Sequence, residues 1–202
     1  MNADLRAEIA AEAARWVVES GLEYAAAKSR AARALGVSGG RGSALPSDEE
    51  VEAAVTEHLA VFCAESQPAE LAELRRVAER WMDRLAPWRP HLSGAAWRGT
   101  ATRLSALRID LYCDDPKSAP IELLNRGVVH RVDAVEEGSR DPITVLTIEE
   151  PSRALGGPVT VHLFVRDLDA LKGALRPDSS GRTWRGDLTA LRGRMASTGS
   201  TE

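Results

Sequence analysis

Hydrophobic residues in the first half of the chain recur every three or four positions, which is the period of an α-helix. This pattern predicts a helix over residues 4–20, and an alanine-rich segment predicts a second helix over residues 22–35. Gly36 follows in the position that commonly ends a helix. We therefore expect N-terminal helices within residues 1–36, followed by a flexible glycine- and serine-rich linker at residues 37–46.

Two more helices are predicted after the linker, over residues 48–65 and 69–86. Ser47 and Glu50 have the spacing of a capping box at the start of the first helix. A short connection between the two favours an antiparallel helical hairpin that occupies residues 47–90. The side chains expected to be buried between its helices are Leu59, Phe62, Leu74, Trp81 and Leu85.

The period changes to two in the second half, where apolar and polar residues alternate as they do in β-strands. The pattern predicts an α+β fold in which a helical N-terminal half precedes a small mixed sheet of four or five strands, with helices on one side. This α/β core would span residues 91–176, and residues 177–202 would form a C-terminal extension. Strands are predicted at 107–113, 128–135, 143–148 and 159–165, and helices at 116–126, 168–175 and 187–195.

Composition and charge narrow the classes of function. The 202 residues carry a net charge of −4, so no overall basic field draws the protein to nucleic acid or to an anionic membrane. Acidic residues interrupt the N-terminal segment, which predicts no signal peptide, and no apolar run has the length of a membrane span. Cys63 and Cys113 match no metal or redox spacing. These features predict a cytoplasmic protein without a membrane partner.

The most informative segment, residues 92–111, carries Gly-Ala, then Arg-Gly, a turn of small residues and a serine before a strand. It resembles the opening motif of the DNA polymerase beta superfamily of nucleotidyltransferases, and the spacing agrees without a gap. The order of predicted elements extends the likeness loosely over residues 70–165. The architecture also resembles that of a group of bacterial proteins of unassigned function. The matching residues are Gly94, Arg98, Gly99, Thr100 and Ser105.

The resemblance implies a nucleotidyltransferase-like fold with a phosphate-binding surface, but the residues depart from the family where metal is bound. In the family, alternate aspartates on one strand hold Mg²⁺ and a third carboxylate on a neighbouring strand completes the site. Here Ala106 and Arg108 stand at the aspartate positions, and residues 159–165 contain no carboxylate. Arg108 instead suits direct pairing with a phosphate. The favoured hypothesis is therefore a non-catalytic protein that binds a nucleotide, an RNA or a protein partner, with no cofactor.

Two alternatives remain. Asp110 lies two residues beyond Arg108 on the same strand face, and Asp114 lies on that face if the strand continues. These two carboxylates are candidate catalytic residues of an active, Mg²⁺-dependent nucleotidyltransferase with a relocated site. Asp114 also fits the start of the following helix, with Pro116 at its first position. The other alternative is a structural or interaction module without a ligand.

The remaining candidate residues are better explained by packing or solvation. None of the histidines has metal-ligand spacing, and His162 is of interest only because it stands among apolar strand residues. Trp97 is expected to pack in the core rather than to stack on a base. A C-terminal basic group is expected on solvated helix faces. Its members are Arg182, Arg185, Arg192 and Arg194.

Overall fold

A computed structural model describes residues 3–37, 45–136, 142–178 and 181–198 and confirms the α+β class. The chain forms two compact units, residues 1–70 with 100–105, and residues 71–99 with 106–202. The described helices are α1 (Ala3–Ser20), α2 (Tyr24–Ala34), α3 (Asp48–Phe62), α4 (Gln67–Arg84), α5 (Gly94–Arg98), α6 (Ser118–Asn125) and α7 (Leu188–Thr198). The strands are β1 (His91–Ser93), β2 (Leu107–Cys113), β3 (Arg131–Val135), β4 (Ile143–Ser152), β5 (Gly157–Asp167) and β6 (Arg185–Gly186).

The first unit is built around α1, which packs against both α2 and α3. The predicted capping box starts α3: Ser47 Oγ accepts from the Glu50 amide at 3.2 Å, and a Glu50 carboxylate oxygen accepts from the Ser47 amide at 2.6 Å. Arg6 of α1 donates to the same carboxylate at 2.8 Å. The Arg6 hydrogen bond is the main cause that lowers the pKa of Glu50. Most of the predicted linker, residues 38–44, lies outside the described residues.

Residues 100–105 belong to the first unit through hydrogen bonds to the start of α4. Gln67 Nε2 donates to the Ala101 carbonyl at 2.9 Å, and the Arg103 amide donates to the Glu70 carboxylate at 2.8 Å. Both hydrogen bonds join the segment that was expected to form a phosphate-binding turn to the first residues of α4, which belong to the first unit.

The compact units divide residues 47–90 differently from the predicted hairpin. The buried face of α3 joins the cluster formed by α1 and α2, whereas residues 71–84 of α4 belong to the second unit. Phe62, expected to be buried, is 71% exposed, which corrects that prediction. It is the last residue of α3, and its ring lies against His58 with the centroids 4.6 Å apart. The other residues predicted to be buried are so: Leu59, Leu74, Trp81 and Leu85.

The second unit contains a six-stranded sheet in the order β3-β4-β5-β2-β1-β6. β2 and β5 are parallel, and the other neighbours are antiparallel. The sheet exceeds the predicted four or five strands because Arg185 and Gly186 of the expected C-terminal extension pair with β1. Two residues are too few to produce a visible alternation, so the sequence pattern does not reveal this strand.

The segment from residue 92 contains the predicted strand over 107–113, and this strand, β2, pairs antiparallel with β1, with Leu92 opposite Ile109. The helix expected from residue 116 begins later, at Ser118. The Asp115 carboxylate accepts from the Lys117 amide at 2.9 Å, so this turn, rather than a proline at the first helical position, leads into α6. No described helix is both long and apolar enough to cross a membrane.

Trp81 tests the packing of α4, because its side chain is only 3% exposed. We expect Trp81→Ala to lower the free energy of unfolding by about 3–5 kcal/mol, since the truncation leaves a cavity. Phe62→Ala is the matched control and should change stability by less than about 0.5 kcal/mol. Urea titration followed by circular dichroism measures both, and equal losses would mean that the buried faces are misassigned.

Candidate functional site

One face of the sheet is polar at its centre. Because side chains alternate along a strand, Arg108, Asp110 and Tyr112 of β2 project from one face, opposite to the apolar residues between them. The parallel register with β5 sets three further side chains beside them on this face. They are His162, Phe164 and Arg166, opposite Arg108, Asp110 and Tyr112 respectively.

Asp110 lies at the centre of this face and is completely buried. Arg166 Nε lies 2.6 Å from Asp110 Oδ1, and a terminal nitrogen of Arg185 lies 3.2 Å from Oδ2. The same Arg185 nitrogen donates to the Tyr112 hydroxyl at 2.6 Å. Both carboxylate oxygens are thus occupied by guanidinium groups from β5 and β6.

A third arginine completes a group that we call the arginine cluster: Arg108, Arg166 and Arg185 around Asp110. The Arg108 guanidinium lies 3.8 Å from the centre of the Phe164 ring, the geometry of a cation–π contact. The Arg166 guanidinium lies 5.8 Å from the same ring. The arginine cluster thus brings three guanidinium groups to one part of the sheet face.

Tyr112 and His91 close one side of the cluster. His91 of β1 stands opposite Asp110, and its ring meets Tyr112 edge-on with the centroids 5.2 Å apart. Burial raises the pKa of the Tyr112 hydroxyl, the neighbouring Asp110 charge raises it further, and Arg185 opposes both effects. The phenol therefore stays neutral to higher pH than an exposed tyrosine does.

His162 is held by its neighbour across the sheet. Its Nδ1 lies 3.0 Å from the Thr147 hydroxyl of β4, and its ring lies edge-on to Phe164 with the centroids 6.5 Å apart. The histidine that the sequence singled out is therefore on the polar face, next to Arg108 across the parallel strand pair.

The structure brings together some of the motif residues in the second unit. Gly94 begins α5 with a φ of +70°, and a Cβ built on it would lie 3.6 Å from the Cβ of Arg108. Arg98 is the last residue of α5, and Gly99 follows with a φ of +97°, the left-handed conformation that commonly ends a helix. The motif glycines are thus explained by the backbone conformations of a short helix, and Gly94 also adjoins Arg108.

Thr100 and Ser105 belong to the first unit and are engaged or buried there. Ser105 Oγ accepts from the Thr102 amide at 3.0 Å, so this hydroxyl stabilises its own turn. Thr100 is buried, and its hydroxyl has no hydrogen-bond partner among the described residues. Neither side chain needs a ligand to explain the local fold.

The two carboxylates that were candidates for a relocated catalytic site, Asp110 and Asp114, lie in different environments. Asp110 is buried under two arginines, whereas Asp114 is exposed in the bend that follows β2. In the described part of the chain, no three His, Cys, Asp or Glu side chains are grouped to hold a metal ion. A divalent ion at Asp110 would have to displace both Arg166 and Arg185.

Sequence reasoning missed the two arginines that bind Asp110. Arg166 follows the alternation His162-x-Phe164-x-Arg166, a detectable signal, but the alternation does not reveal the parallel pairing with β2. Arg185 was expected on a solvated helix face, and the structure corrects this: it lies in β6, 75 residues from its partner Asp110. Arg192 of the same basic group does lie on an exposed helix face, paired with Glu79 and Asp83.

Removal of the central carboxylate should be costly. Asp110→Asn removes the buried charge that binds both Arg166 and Arg185, and we expect a loss of about 3–5 kcal/mol in unfolding free energy. Asp114→Asn removes the same charge at an exposed position and should cost less than about 0.5 kcal/mol. Chemical denaturation of the two variants side by side provides the measurement, and similar values would contradict a structural role for Asp110.

The raised pKa of Tyr112 predicts how the stability of the protein changes with pH. Because its pKa is raised in the folded state, its contribution to stability is complete below the pKa of an unfolded tyrosine, about 10. It is then lost as the pH rises through the folded pKa. The stability difference between the wild type and Tyr112→Phe should therefore shrink above about pH 10. Thermal unfolding at several pH values measures this difference, and a gap that widens with pH would contradict the prediction.

Comparison with known proteins identified no relative of this chain. No family model, no curated protein and no solved structure matches the chain. A function must therefore rest on the chemistry of the arginine cluster, because one fold can host many activities.

Proposed function

We propose that this chain is a non-catalytic, nucleotidyltransferase-like protein that binds a nucleotide through its phosphate groups at the arginine cluster. The observation that carries the proposal is the grouping of three arginines around one described carboxylate, Asp110: Arg166 and Arg185 each pair with one of its oxygens, and Arg108 lies over the Phe164 ring beside them. Such a centre attracts an anion and repels a metal cation. One of its members, Arg108, occupies the strand position at which the proposed family carries an aspartate.

The chemistry of the cluster suits phosphate. A guanidinium stays charged at any working pH and can donate two parallel hydrogen bonds to phosphate oxygens. The contact with Phe164 holds the Arg108 guanidinium in one plane, which lowers the entropy lost when a ligand binds. Arg185 Nε is buried and has no hydrogen-bond partner among the described residues, so an incoming oxyanion would supply an acceptor near an orphaned donor.

Catalysis by the family mechanism lacks its carboxylates. Mg²⁺ requires oxygen ligands, and two-metal phosphoryl transfer requires several converging carboxylates. Ala106 and Arg108 cannot supply them, and the Asp110 carboxylate is committed to arginines. Binding of the nucleotide should therefore be independent of divalent metal.

A nucleotide fits the site better than an RNA strand or a protein surface. The side chains of Arg166 and Arg185 are only 12% and 24% exposed, so the cluster offers a small recessed charge rather than a track for a polynucleotide backbone. The net charge of −4 provides no general attraction for RNA.

Nucleotide binding is tested by calorimetric titration of nucleoside mono-, di- and triphosphates in EDTA and again in Mg²⁺. We expect binding in both buffers, and Arg108→Gln should weaken it roughly 10- to 100-fold, the value of a charged hydrogen bond. Arg131→Gln is the matched control: Arg131 is an exposed arginine of β3 on the same sheet face, paired with Asp133. The Arg131→Gln variant should bind nucleotides with the affinity of the wild type.

Two results would contradict this binding proposal. If no nucleotide binds, the proposal is wrong. If Arg108→Gln and Arg131→Gln weaken binding equally, the affinity arises from general electrostatic attraction and not from a specific site. Binding of RNA oligomers that exceeds that of every mononucleotide would favour the nucleic-acid partner instead.

Absence of transfer is a separate prediction. Incubation with labelled nucleoside triphosphates, Mg²⁺ or Mn²⁺, and RNA or protein acceptors should yield no labelled product. Metal-dependent transfer that persists in Arg108→Gln but disappears in Asp114→Asn, and in a folded Asp110→Asn, would establish the enzyme with relocated carboxylates.

A further inference from the structure

A second cationic site occurs in the second unit, lined by residues of α4 and α7. A cavity of about 510 Å³ lies between α4 and α7. Arg75 of α4 contributes to its wall, and the other lining residues come from α7: Ala190, Gly193, Arg194 and Ser197. The arginine cluster contributes no residue to this cavity.

Arg75 is the unusual member of this wall, because it is a charged residue only 6% exposed. Its Nε donates to the Ala96 carbonyl at 3.0 Å, and a terminal nitrogen lies 3.4 Å from the Trp97 carbonyl. Both acceptors are uncharged groups near the C-terminal end of α5. Among the described residues no carboxylate pairs with this guanidinium, although buried cations are ordinarily paired with an anion.

Arg194, an exposed residue of α7, adds a second cation to the same wall, at the open side of the cavity. Its guanidinium lies 4.0 Å from the centre of the Trp97 ring, and the Trp97 carbonyl is one of the acceptors for Arg75. Burial lowers the pKa of Arg75, and the nearby Arg194 charge lowers it further. An arginine still remains protonated, so two like charges share one cavity. Their repulsion would be offset by an anion between them.

We propose that this cavity is a binding site for a phosphate-type oxyanion, held by Arg75 and Arg194. Two guanidinium groups supply several N–H donors, and the cavity is large enough for a phosphate together with a small organic substituent. The shared chemistry allows inorganic phosphate or the phosphoryl group of a phosphomonoester. The site is separate from the proposed nucleotide site, and neither proposal requires the other.

The test uses the full-length chain and titrates inorganic phosphate, sulfate and glycerol phosphate against a chloride buffer of equal ionic strength. Calorimetry gives the affinity, and the indole N–H resonance of Trp97, assigned with Trp97→Phe, reports the location. We expect saturable binding of phosphate with a shift of this resonance. Tighter binding of glycerol phosphate identifies a phosphomonoester as the ligand class, whereas equal affinities identify the phosphate ion itself.

Two substitutions on α7 distinguish phosphate binding at a specific site from general electrostatic attraction. Arg194→Gln should weaken phosphate binding at least tenfold, since it removes a charged hydrogen-bond donor. Arg192→Gln removes the same charge two residues away, where the side chain pairs with Glu79 and Asp83, and should leave the affinity unchanged. Arg75→Lys keeps the charge but loses the planar fork, and should also weaken binding.

Several results would overturn the proposal. They are the absence of saturable binding in the wild type, an equal loss in Arg192→Gln, and a phosphate-induced shift of the Trp97 resonance that disappears in Arg108→Gln, which would assign the phosphate to the arginine cluster. If Arg194→Gln or Arg75→Lys does not fold, the wild-type resonance decides: phosphate binding without a shift at Trp97 would also overturn the site.

Discussion

The second unit depends on one buried carboxylate. Asp110 on β2 is bound by Arg166 on β5 and by Arg185 on β6, so a single side chain joins a parallel strand pair to a two-residue strand from the C-terminal segment. A buried charge is costly unless it is paired, and this carboxylate has a partner on each oxygen. Replacement of the carboxylate would remove a partner of both arginines, whereas replacement of either arginine would leave one carboxylate oxygen without that partner.

This arrangement has the opposite electrostatics to the metal site of a nucleotidyltransferase. In a metal-dependent transferase, carboxylates converge and the metal ions compensate for their charge. Here guanidinium groups outnumber the carboxylate on the strand face, and the aromatic ring of Phe164 holds one of them in place. A site of this sign favours the phosphate of a nucleotide over a metal ion, which is why binding without transfer is the function that we propose.

The two proposed sites differ in how their charge is balanced. At the arginine cluster, Asp110 compensates part of the charge, so the ligand would add to an ion-pair network. In the cavity between α4 and α7, Arg75 bonds only to backbone carbonyls and Arg194 stacks on Trp97. An anion there would supply a countercharge to Arg75. Binding at the first site would therefore depend on how the guanidinium groups are oriented. Binding at the second would depend on the countercharge that an anion gives to the buried Arg75.

The sequence by itself determined what depends on near neighbours. The α+β class, the capping box at Ser47 and the strand over 107–113 all follow from periodicity or residue identity. Only the tertiary structure decided which elements meet. It paired Asp110 with Arg185 across 75 positions, recruited β6 into the sheet and left Phe62 exposed. Periodicity reports which face of an element is apolar, but strand register and helix partners arise from packing between segments that are distant in the chain.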